Sequence, residues 1–147
     1  MPERETVERA RRDKRQGKAP STQAGEFVRE EMHHIREGKH GAASTKQAIA
    51  IGLSKARRAG VRLPASKSAS KATARRASAD NRAGVAHHRP SPKRSRATRR
   101  ALQRKGHSAA SKSALASHAH DASRRRSASD RSASAKKAAR TRARKKR

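Results

Sequence analysis

The chain has 147 residues and a formal net charge of +30; only 31% of it is hydrophobic, with one Phe and no Trp, Tyr or Cys. No disulfide framework or thiolate chemistry is open to it, and no apolar run is long enough for a membrane span or a signal-peptide core, so a cytoplasmic protein is expected. Low hydrophobicity with high net charge is the mark of a chain that cannot offset the entropy of ordering by burial.

Pro64 divides two different compositions. Residues 1–64 hold 15 Lys/Arg against 8 Asp/Glu, net +7, whereas residues 65–147 hold 26 against 3, net +23. Three segments follow: a polar N-terminal helix and linker (1–20), a helix–loop–helix domain (21–64), and a Lys/Arg/Ala/Ser tail (65–147). The expected fold is a small all-α helical hairpin, extended to three helices if the N-terminal one docks, followed by a long, largely disordered basic tail.

Residues 3–15 (ERETVERARRDKR) are rich in helix formers, and Glu5 with Arg9 and Glu8 with Arg12 are i,i+4 pairs in the favourable order. Only Val7 and Ala10 are apolar, so this helix has little to bury. Gly17 and Pro20 end it. In PSTQAGEFVREEMHHIREG, Ser21 or Thr22 is the expected N-cap, and Ala24, Phe27, Val28, Met32 and Ile35 form one stripe at helical spacing. Gly38 stops this helix. Glu31 falls within the stripe, and is expected at its rim, reaching solvent or a basic partner; the alternative is a buried carboxylate paired with Lys or Arg. His33, His34 and His40 cluster with Glu30 and Glu37. The i,i+4 pairs Glu30/His34 and His33/Glu37 each resemble half of a metal site, but no third and fourth ligand at matching spacing is visible. They read as exposed polar residues, with no metal and no cofactor expected. His87-His88 and His118-Ala119-His120-Asp121 lie in the tail and carry still less.

Residues 44–60 (STKQAIAIGLSKARRAG) give the best-formed helix signal. Ser44 and Gln47 fit a capping box. Ala48, Ile49, Gly52, Leu53, Ala56 and Ala59 share one face, and Gly60 followed by Val61 is a left-handed helix stop with its apolar contact. The small patch Ala48/Gly52/Ala56/Ala59 suits close approach of another helix. The hairpin has too few large apolar side chains to stand alone, so it needs the N-terminal helix, self-association through residues 21–64, or a protein partner. Ile51 falls on the polar side, as an exposed residue or a second contact surface. A helix-turn-helix reading, with Lys46 and Gln47 near the start of a recognition helix, meets a connecting loop longer than the usual turn.

The tail has 22 Ala and 15 Ser, and only Val85, Leu102 and Leu115 as larger aliphatics. Its cations come in clusters: Arg75 and Arg76; Lys93, Arg94 and Arg96; Arg99 and Arg100; Arg104 and Lys105; Arg124, Arg125 and Arg126; Lys136 and Lys137; then Arg140, Arg142, Arg144, Lys145, Lys146 and Arg147. With Lys46, Arg57 and Arg58 these are the candidate phosphate contacts. The dense negative charge of nucleic acid is the natural counterpart, and an anionic membrane surface is a weaker one because no bulky apolar face accompanies the charge. Segments such as 94–105 have the helix propensity to fold on binding. No nucleophile, phosphate-loop, dinucleotide or H-E-x-x-H motif is present, so no enzyme and no small-molecule substrate are expected.

The run STKQAIAIGLSKAR at 44–57, within a segment spanning roughly 22–64, resembles a family of small basic bacterial and phage proteins known only as a domain of unknown function. That resemblance implies a bacterial or phage setting and no catalytic residue. The tail is similar in composition to the Lys/Arg/Ala/Ser tails of bacterial linker-histone-like proteins, and Ser91-Pro92-Lys93-Arg94 resembles the Ser-Pro-basic-basic turns of linker-histone tails. The expected function is non-enzymatic, largely sequence-independent DNA binding with histone-like nucleoid association. The alternatives are an RNA- or ribosome-associated protein, or an interaction adaptor whose tail keeps it in solution.

Overall fold

The structure is a computed structural model and describes residues 2–66, 69–86 and 91–145. Seven α-helices and one turn of 3-10 helix (Ser108–Ala110) make up the described elements: α1 Arg4–Arg15, α2 Pro20–Arg36, α3 Thr45–Arg58, α4 Lys71–Val85, α5 Pro92–Gln103, α6 Lys112–Arg124 and α7 Ala128–Lys145. They fall into two units, Met1–Ser111 and Lys112–Arg147.

The local code sets most helix ends. At α3 the Ser44 hydroxyl accepts the Gln47 N–H at 3.2 Å, and the Gln47 side chain reaches back to the Ala43 N–H at 2.7 Å, one residue earlier than in the usual box. Gly60 has φ 93; its N–H donates to Arg57 O and that of Val61 to Ala56 O, both at 3.0 Å. These are the paired bonds of a Schellman stop, and Val61, 8% exposed, makes its apolar contact. Gly17 and Gly38 close α1 and α2 by the same device. The start of α2 differs from expectation: it begins at Pro20, after Ala19, with no side-chain cap, and Ser21 and Thr22 lie inside its first turn. Pro presets the helical φ and has no N–H to satisfy, so no hydroxyl cap is required.

In the first unit α2 packs against α3, α1 against α2, and α4 against α3. The core joins Ala10 of α1, Ala24 and Phe27 of α2, Ala56 of α3 and Val61 beyond it, with Val7, Leu53 and Leu63 half-buried around them. The hairpin is therefore completed from within the chain, by α1 and α4. The expected close approach occurs at Gly52: a Cβ there would stand 2.7 Å from the Val28 Cα. Ile51 is half-buried and Ala59 exposed. Replacing a helical Gly by Ala ordinarily gains about 0.5–1 kcal/mol. Gly25→Ala in α2, with nothing within 4 Å of its Cβ, is expected to show that gain. Gly52→Ala must push a backbone, so it is expected to lose about 1–2 kcal/mol. Denaturant unfolding of the two variants should move in opposite directions.

The expectation of a long disordered tail is overturned, because α4 through α7 are all helical. Two physical reasons operate. Ala, Arg and Lys are among the best helix formers, and Ser70 and Ser127 cap α4 and α7 by accepting the N–H of Thr73 and Asp130. Tertiary packing adds to this in α4. Ala77 is 3% exposed, a Cβ on Gly84 would lie 2.1 Å from Arg57 O, and Asp80 accepts from Ser54 Oγ at 2.7 Å and Arg58 Nε at 2.9 Å. Residues 102–110 also return to the hairpin. The N–H groups of Gly41 and Ala42 donate to Leu102 O and Gly106 O, Thr45 Oγ1 donates to Ala109 O, and Arg36 Nε to Ala110 O. In the second unit, α6 and α7 fully bury no side chain among the described residues, and helix propensity with the Ser127 cap supports them.

Candidate functional site

Two features stand out, an array of surface cations and a buried ionic cluster. Lys46 is exposed in the first turn of α3, but Gln47 is spent on the cap. Arg57 and Arg58 are structural as well as basic: Arg57 Nε donates to Leu63 O at 2.9 Å, and Arg58 pairs with Asp80. The loop between α2 and α3 runs over residues 37–44, longer than a helix-turn-helix turn. Arg75 and Arg76 are exposed on α4. Lys93, Arg94, Arg96, Arg99 and Arg100 are exposed on α5, which buries nothing and contains no acid. Lys93, Arg96 and Arg100, spaced i, i+3, i+7, share one face. Ser91-Pro92 opens this helix rather than forming a free turn. Arg104 and Lys105 follow it, exposed. In the second unit Arg124 ends α6, and Arg125 and Arg126 lie in the turn after it, with Arg126 bonded to Asp130 O and Ser134 Oγ. Lys136, Lys137, Arg140, Arg142 and Arg144 are exposed on α7, and Lys137, Arg140 and Arg144 repeat the i, i+3, i+7 row. Lys145 ends α7. Lys146, Arg147 and the His87-His88 pair lie outside the described residues.

The buried cluster departs from the sequence expectation. Glu31 does not sit at a rim; the alternative reading holds, a buried carboxylate paired with Lys. It is fully buried, with Lys55 Nζ 2.6 Å from Oε2 and His40 Nε2 3.2 Å from Oε1. Both nitrogens are within ion-pair distance, yet neither carboxylate oxygen has the alignment of a hydrogen bond. Glu30 is 4% exposed, accepts the Glu3 N–H at 3.3 Å and lies 3.8 Å from Lys55 Nζ. His34 is mostly buried and its Nε2 lies 2.8 Å from Glu3 Oε1. Of the pairs read as exposed, only His33 and Glu37 are so. The hydrogen bond with His34 holds the Glu3 carboxyl below the usual carboxylate range, and that from Lys39 does the same for Glu37, which in turn raises the Lys39 ammonium. On the adjacent face, the hydrogen bond to Glu26 raises the Arg9 guanidinium.

Sequence reasoning grouped His34 with His40 but missed Lys55 and the pairing of His40 with Glu31. The readable signal was Glu31 itself, an acid in an apolar stripe. No helix among the described residues is long and apolar enough to cross a membrane. No curated protein and no solved structure matches the chain. Residues 19–67, which span α2, the loop and α3 and hold Glu30, Glu31, His34, His40 and Lys55, match the model of a family of unknown function (DUF6496).

Proposed function

We infer that this chain is a non-enzymatic, histone-like protein that binds duplex DNA largely without regard to sequence and associates with the nucleoid. The observation that carries the reading is α5: five Lys/Arg in a 12-residue helix, with no acid and no buried side chain. Packing does not need this face, and like charges at i, i+3 and i, i+7 repel until an anion neutralises them. A duplex offers phosphates at high linear density, and each one neutralised releases counterions. α7 carries a second row of the same spacing. The chain's single Phe, Phe27, is 1% exposed, so no aromatic platform is available for stacking on single strands. The cationic helices act by position and charge, with no base-reading side chain required.

The variant K93Q/R96Q/R100Q in the full chain tests this. The residues are exposed, so helicity by circular dichroism should not change. The slope of log K against log salt on duplex DNA should become shallower by up to about 2.7, roughly 0.9 per lost phosphate contact. An unchanged slope removes α5 from the interface. Tighter binding to structured RNA in direct competition with duplex DNA overturns the choice of DNA.

A further inference from the structure

The loop that carries His40 also fixes its ring. Nδ1 lies 3.2 Å from Gly41 O, which can only accept, so Nδ1 holds the proton. In a neutral ring Nε2 is then a bare lone pair, and it faces Glu31 Oε1 at 3.2 Å. Two lone pairs do not rest against each other around a carboxylate that is fully buried; something positive must lie between them, a proton or a metal ion. Lys55 supplies charge only at the other oxygen, Oε2.

His34 follows Glu31 by three residues on α2 and brings a second imidazole to the same place. One donor atom from each of Glu31, His34 and His40 lies within 4.8 Å of the other two. We propose that Glu31, His34 and His40 form a site for one first-row divalent cation, Zn2+ by preference. Two imidazoles and one carboxylate are the borderline donor set that Zn2+ takes, with a fourth position left for water. Donor atoms around one zinc stand about 3.3 Å apart, so shifts of roughly 1.5 Å close the set, ligation through His34 Nε2 exchanging its contact with Glu3 for the ion. The Nδ1–H of His40 on a backbone carbonyl is the outer contact that orients most metal-bound histidines. A polar cleft of about 210 Å³ reaches His34 among the three, and Arg9, Arg29, Glu3, Glu30 and Lys39 share its lining. The bound ion ties the loop to α2, and through Gly41 and Ala42 to the end of α5.

The test is a titration of chelator-treated full-length protein with Co2+, a coloured stand-in for Zn2+. One equivalent should develop visible d–d absorption, and Zn2+ should displace it. His40→Gln should weaken binding by about 100-fold or more, since even outer-shell changes cost about 10–100-fold. His118→Gln/His120→Gln should leave the titration unchanged. His40→Cys keeps a donor and should add a thiolate-to-cobalt charge-transfer band, which reports the site directly should His40→Gln fail to fold. No absorption in the native chain, an unchanged titration in His40→Gln, loss in the His118/His120 variant, or no charge-transfer band in His40→Cys each overturns the proposal. A proton, not a metal, then bridges His40 and Glu31.

Discussion

Lys55→Met is expected to destabilise the metal-free protein by about 3–5 kcal/mol, and adding Glu31→Gln is expected to restore part of that loss. Lys55 is 23% exposed and Glu31 not at all, and their atoms stand 2.6 Å apart. Removing the ammonium leaves a buried carboxylate beside a second one, Glu30, which is itself 4% exposed. The cost is that of an uncompensated buried charge, which is larger than the net value of the intact pair. Glu31→Gln removes the orphaned charge at nearly constant shape, so the double variant should be more stable than Lys55→Met alone. Denaturant unfolding of the four proteins in chelator closes a double-mutant cycle, and a coupling above about 1 kcal/mol is expected. Additive effects would mean that Glu31 is uncharged in the folded protein and that Lys55 is only a surface cation.

The same pair shows which parts of the fold a sequence reveals. The stop at Gly60, the stop at Gly38 and the cap at Ser44 are local events, decided by one backbone conformation or one hydroxyl, and each is where the residues place it. The stripe of α2 is legible for the same reason, since helical spacing puts Phe27 and Ile35 on one side. Glu31 sits on that stripe, and only its partner decides whether a carboxylate can stay there. That partner arrives 24 residues later, on the flank of α3, and reaches it because Gly52 lets the two helices meet backbone to backbone. His34 and His40 converge across the Gly38 stop, where helical periodicity no longer applies. The basic segment misleads for another reason. Composition measures what a chain can bury, and α5 and α7 bury nothing, yet alanine, arginine and lysine hold a helix without burial. In α4 the decisive residues are Ala77, Asp80 and Gly84, whose close-packing or hydrogen-bonding roles become visible only once α3 is in place.

Phe27→Ala is the other change with a large expected effect, about 3–5 kcal/mol. Phe27 is 1% exposed and is the largest side chain of its cluster; its fully buried neighbours Ala10, Ala24 and Ala56 are too short to move into the space it leaves. A cavity that cannot collapse costs toward the upper end of the range. Phe27→Leu keeps most of the volume and should cost less. A loss below about 1 kcal/mol in Phe27→Ala would place the core elsewhere. The consequence for function follows from where the charges lie. Unfolding the first unit removes no cation, and α7 belongs to the second unit, which shares no side chain with the Phe27 cluster. If phosphate neutralisation carries binding, Phe27→Ala should keep a steep salt dependence on duplex DNA while its first unit melts at lower denaturant. If binding instead collapses with the first unit, the folded surface of residues 1–111 recognises the partner, and α7 does not bind on charge alone. Measuring affinity across the unfolding transition of Phe27→Ala separates these two outcomes, because stability changes in that variant while charge does not.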